Sequence, residues 1–298
     1  MSTARCLVMV LVAQLVVLAP AAAQEPFADP GDQPSNLTLL NFFSEGWDQA
    51  WTHRHGRTPD MALLRVGTNF LERELRLDFV HTGLQHNSRF AATELANGLI
   101  AYGVNRRLML AVVSNYQWNV PASASPVHGA GGGAVVRFQL VDTPDKSYAF
   151  QVRVSPPNSG IGQTQTSLSY ALAGWQDLAA LVPALDRVGL YYSIQYENLR
   201  GPDRAELRQN DLNYAVAVAK TWTDGRTPVF GDLTTFVEAV GTTDLDGVSA
   251  SDTVFSVTPG VRFWFMPGNS LTFGVDVPLS RSPPFSVAYR ATYILNFG

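Results

Sequence analysis

SLTFGVDVPLSRSPPFSVAYRATYILNFG, residues 270–298, decides how the rest of the chain is read. By parity, Phe285, Val287, Tyr289, Ala291, Tyr293, Leu295 and Phe297 form one set. Ser286, Ala288, Arg290, Thr292, Ile294 and Asn296 form the other. Successive side chains point to opposite faces of a strand, so this segment has one oily face and one mostly wet face. The stretch before it does the same, with Leu271, Phe273, Val275, Val277 and Leu279 against Thr272, Gly274, Asp276, Pro278 and Ser280. Both runs exceed the roughly 5–6 residues of an ordinary strand. They match the roughly 9–11 residues a tilted strand needs to cross a bilayer.

The alternation continues upstream. Strands are expected near 72–82, 93–103, 107–118, 130–141, 146–154, 163–174, 187–197, 210–221, 230–240 and 252–265. With the two quoted strands the count is twelve, with ten or fourteen as alternatives because 61–70 and 93–103 have unclear parity. Connections after even-numbered strands are mostly short, such as 104–106 and 266–269. Those after odd-numbered strands are mostly longer and rich in Gly, Ser, Pro, Asn and Asp. Short periplasmic turns and long outer loops mark a bacterial outer-membrane barrel. The expected fold is therefore all-β, an antiparallel up-and-down transmembrane β-barrel. Trp175 and Trp222 are expected at its periplasmic interface.

The chain opens with one charge, Arg5, then an apolar run from Cys6 to Ala19 and Ala21-Ala22-Ala23. This reads as a signal peptide over 1–23, too short to span a membrane. Its removal would take away Cys6, the only cysteine of the 298 residues, leaving no disulfides. Residues 24–70 read as an N-terminal arm or plug, with Asn36 capping a short helix that carries Leu39, Leu40, Phe43 and Trp47 on one side. Residues 71–298 form the barrel. The whole chain has 21 basic and 25 acidic residues, and its only lysines are Lys146 and Lys220. With no basic block, nucleic-acid binding has no support. A mean hydropathy of +0.02 is what alternating strands average to.

No catalytic constellation emerges. His53 and His55 lie in the arm, His86 and His128 in loops, and His81 at a strand end without a spaced nucleophile. GAGGGA at 129–134 lacks the GK[ST] of a phosphate loop and leads into a strand. No catalytic, metal or cofactor site is expected. The inner wall is more informative. Arg76, Arg137, Arg153, Arg262 and Arg290 share it with Glu74, Asp78, Glu197, Glu238 and Asp276. Charges inside a barrel must be paired or wet. Either they line a polar pore that selects solutes, or they brace a plugged interior.

The segments NFFSEGWDQAW (41–51) and FLERELRLDF (70–79), with the closing hairpin GVRFWF…LTFGVDVPLS, resemble the meta-pathway phenol-degradation proteins, a transporter-like group of bacterial outer-membrane barrels. The resemblance implies a channel for small aromatic or other hydrophobic compounds. An aromatic near the C-terminus, here Phe297 followed by Gly298, also resembles the signal read by the barrel-assembly machinery. Three functions follow in order: passive uptake of small solutes, a closed structural or adhesive barrel, and a membrane-embedded lipid-modifying enzyme. The expected partners are outer-membrane lipids, a small-molecule solute and the assembly machinery. The mature chain is expected to start at Gln24, fractionate with the outer membrane and migrate heat-modifiably on gels. N-terminal sequencing that finds Met1 intact would overturn this.

Overall fold

The computed structural model describes residues 34–52, 58–84, 90–121, 127–157, 159–160, 165–200, 210–225, 227–246, 252–280 and 285–297. The expected signal peptide and His53, His55 and His86 lie outside these residues. The strands are β1 (Glu74–Leu84), β2 (Phe90–Gly103), β3 (Leu108–Pro121), β4 (Val127–Thr143), β5 (Lys146–Ser155), β6 (Ser159–Gly160), β7 (Thr166–Asp177), β8 (Val188–Arg200), β9 (Asn210–Thr221), β10 (Gly231–Asp244), β11 (Thr253–Met266), β12 (Asn269–Pro278) and β13 (Phe285–Asn296). The two-residue β6 only flanks β4, and the other strands pair antiparallel, each with its sequence neighbour. β1 pairs with β13 from Glu74↔Asn296 to Leu84↔Phe285, so twelve strands close into a ring.

Alternation places the greasy set outside. On β3, Leu110, Val112 and Tyr116 are exposed, while Met109, Ala111 and Val113 are buried. On β13, Tyr289 is exposed while Ala288, Thr292 and Ile294 are buried. The Gly-rich run of 129–134 lies within β4. A Cβ at Gly133 would lie 2.5 Å from the carbonyl oxygen of Val154 on β5, so only glycine permits that approach. At the short-turn end, Gly268 closes the β11–β12 hairpin with φ of +72°, a conformation glycine reaches without Cβ strain.

Two expectations are corrected. The arm holds no helix among its described residues: 39–49 form turns and bends. Thr38 donates its backbone N–H to Asn41 Oδ1 (2.7 Å), and Phe42 and Ser44 bond three residues back, to Leu39 O and Asn41 O. These local bonds compete with helical ones. Trp175 does not follow its strand to the interface. It belongs to the inward set of β7 with Ser167, Ser169, Ala171 and Ala173, and it is buried. The connection after it is two 3₁₀ turns, Leu178–Ala180 and Pro183–Leu185.

Ala291 sits on the outer wall between Phe79 and Phe273. Ala291→Arg should cost about 2–4 kcal/mol if this level lies near the bilayer midplane. Urea unfolding in lipid vesicles checks it, and an unchanged midpoint would contradict the facing.

Candidate functional site

The lumen is where the inward side chains meet, and it is not empty. Before β1 begins, residues 58–73 run inside the ring as a strap. Thr58 donates to Asp177 Oδ1 (2.7 Å) and Tyr191 donates to Pro59 O (2.7 Å) at the short-turn end. Further in, the Gly67 N–H donates to Ser193 Oγ (3.0 Å). The strap then returns, with Gln139 donating to Asn69 O (3.2 Å) and Arg137 to Phe70 O (2.7 Å).

The strap has two sides because the wall has two halves. Met61, Leu63 and Val66 pack against Trp175, Tyr191, Ala217, Ala219 and Phe236 on β7–β10. Small residues at Ala173, Ala217 and Ala219 leave room for them, and a Cβ at Gly67 would sit 3.5 Å from that of Ala173. The other side is ionic. Asp276, fully buried, accepts from Arg65 Nη1 (2.6 Å), Arg290 Nε (2.7 Å) and Thr258 Oγ1 (2.7 Å). Glu238, also fully buried, accepts the backbone N–H groups of Arg65 and Val66 through Oε1, both at 2.9 Å. Two cations and two carboxylates thus meet where the strap bends, so each buried charge has an opposite neighbour.

The remaining charges divide by height. Arg76 binds Asp78 (2.9 Å) and donates to Leu63 O (3.0 Å), while Asp78 also accepts from Thr292 (2.5 Å). Arg137 adds Gln151 Oε1 (2.8 Å) to its strap contact. Buried Arg262 reaches Met61 Sδ at 3.4 Å. Glu74 is buried at the foot of β1. Arg153 and Glu197 stand apart, toward the long-loop end, where Arg153 donates to Ser155 Oγ (3.0 Å) and Glu197 accepts from Ser167. Arg76, Arg137, Glu238, Arg262 and Asp276 therefore hold the strap directly, with Arg290 bound through Asp276.

No family model matches the chain, and no curated protein does. Among solved structures the chain is similar to the COG4313 outer membrane channel from Pseudomonas putida F1. The identity is 10% and the TM-score 0.57, over 78% of this chain and 97% of that one. The fold is that of an outer-membrane barrel. A KdgM porin also matches, at 11% identity and a TM-score of 0.47, over 76% of this chain and 99% of that one.

Sequence reasoning missed Arg65, the strap residue that completes the Asp276 cluster. The signal was a single arginine after the apolar run Met61–Leu64. That run has no parity because the strap is not a strand and packs its apolar side chains against β7–β10 rather than pairing in the ladder. Asp276→Ala leaves two arginines without their acid, whereas Arg290→Ala leaves Asp276 with Arg65. The acid change should cost about 3–5 kcal/mol, and the arginine change clearly less. Equal losses in denaturant titrations would contradict this arrangement.

Proposed function

We propose that the chain is a bacterial outer-membrane channel for passive uptake of small solutes, with residues 58–73 narrowing its lumen. One observation carries this reading: the wall beyond the strap, toward the long-loop end, is lined by polar side chains. There Gln195 and Asn213, paired across β8 and β9, share the inner wall with Arg153, Glu197, Ser167 and Ser169, and Asn213 Oδ1 accepts from Thr242. Glu74, Arg76, Asp78, Arg137, Arg153, Glu197, Glu238, Arg262, Asp276 and Arg290 are the proposed lining. Under this reading the short-turn end faces the periplasm. The chain is exported by its signal peptide, is assembled through its C-terminal strand, and performs no catalysis. The resemblance to the phenol-degradation group extends the proposal to small aromatic or hydrophobic solutes.

A closed barrel is the second reading, favoured by the apolar packing of Met61, Leu63 and Val66 across the lumen. Conductance in planar bilayers separates the two. The positions of Gly67 and Ala173 put Cβ atoms 3.5 Å apart, within the disulfide range. Gly67→Cys with Ala173→Cys should pass less current oxidised than reduced. Deletion of 24–70 should raise conductance several-fold. An intact barrel that passes no current while the deletion variant conducts would support the closed barrel instead.

A further inference from the structure

β4 runs lower than β3: the pairing of the two stops at Leu108↔Phe138, and β4 continues to Thr143. An edge is left open there, and the arm covers it. Leu37 pairs with Asp142 through both backbone bonds, Leu37 N to Asp142 O (3.0 Å) and Asp142 N to Leu37 O (2.9 Å). Arg107, fully buried in the turn before β3, fastens the rest. Its guanidinium donates to Gln139 O and Leu140 O of the barrel, each at 2.9 Å. It also donates to Glu45 O (2.9 Å), Thr38 O (3.2 Å), Asn41 O (3.1 Å) and Asn41 Oδ1 (2.8 Å) of the arm. Burial lowers its pKa, with Arg106 beside it adding to the effect. A residue so fully bonded has a task, and the task is to hold this loop in one place.

What the loop presents is apolar. Leu40 is 100% exposed, Phe43 92% and Leu39 64%. The stretch 38–44 carries no charge. Trp47 joins it to the outer wall, 6.4 Å from the ring of Phe138. Phe138 points outward, because Arg137 and Gln139 on either side of it reach the strap inside. The exposed loop therefore continues the lipid-facing surface at its lower rim, where Tyr102 and Trp222 are exposed as well. Fully exposed Leu and Phe side chains are costly in water and mark an interaction surface. Aromatic and apolar groups at this height belong at a membrane interface.

We propose that residues 37–47 form a foot inserted in the periplasmic leaflet of the outer membrane. Leu39, Leu40 and Phe43 enter the lipid, and Arg107 fixes the foot to the β4 edge. The occupant of the apolar surface is lipid because the surface is continuous with a wall that lipid already covers. This rests on the membrane location of the barrel but not on transport.

The test uses the full chain with Cys6→Ser, reconstituted in phosphatidylethanolamine–phosphatidylglycerol vesicles. Single variants Leu40→Cys, Phe43→Cys and Val112→Cys carry an environment-sensitive fluorophore. Val112 is 66% exposed on the outer wall and serves as the lipid reference. Labels at 40 and 43 should emit in the blue and be quenched by lipid carrying a doxyl group high on its acyl chain. Quenching by aqueous iodide alone at these sites, with Val112 still quenched by doxyl lipid, overturns the foot. Shielding from both quenchers means that protein covers the surface, and that also overturns it. A Val112 label that ignores doxyl lipid refutes the membrane location itself, a separate failure. In Arg107→Ala the doxyl quenching at 40 should fall at least twofold with Val112 unchanged. An unaltered value removes the fastening role, provided the variant still migrates heat-modifiably as a folded barrel.

Discussion

A backbone edge has no partner in hydrocarbon, and the rest of this structure follows from that. Each unpaired N–H or C=O costs several kcal/mol away from water, so a sheet that crosses lipid must close. Here the seam is β1 against β13, in an unbroken register from Glu74↔Asn296 to Gly83↔Val287. The seam forces the strand ends to coincide at the short-turn end. It also forces Arg76, Asp78 and Thr292 onto one inner row, where they bond. The same rule acts locally at the overhanging end of β4, where Leu37 supplies the missing ladder partner.

Closure with twelve strands leaves a lumen that its own wall does not fill and that one added segment can narrow. The strap supplies that segment. Its apolar side packs against a wall made shallow by alanine and glycine. Its polar side is matched to Asp276 and Glu238. Burying Met61, Leu63 and Val66 contributes about 1.5–3 kcal/mol each. The apolar and ionic contacts hold the strap together, and the ionic side sets where it sits. Glu238 binds backbone N–H groups at Arg65 and Val66, which fixes a bend without regular structure around it.

The arm and strap also explain why the chain's arginines outnumber its lysines in structural roles. A guanidinium has five donors in a plane. Arg107 uses them to tie four arm oxygens to two barrel carbonyls, and Arg137 uses them to join Phe70 O to Gln151. A single ammonium on a flexible stem could not bridge such separated acceptors.

Much of the barrel was legible in the sequence because strand parity is a local property. Side chains alternate wherever backbone is extended, so residues 285–297 declared an oily face and a wet face without reference to anything else. The facing of Arg290, its neighbour Asp276 and the closure of the ring all follow from that pattern. What parity could not supply was any segment outside the ladder. Residues 61–70 have no alternation because the strap is outside the ladder, with apolar side chains packed on one part of the wall and polar ones on another. Asn36 and the apolar spacing after it suited a helix, but Arg107 binds three oxygens of Thr38 and Asn41 and holds turns instead. Trp175 was placed at an interface by its sequence position and is buried by the strap packed upon it. These outcomes depend on which distant residues the closed ring brings together, and only the tertiary structure decides that.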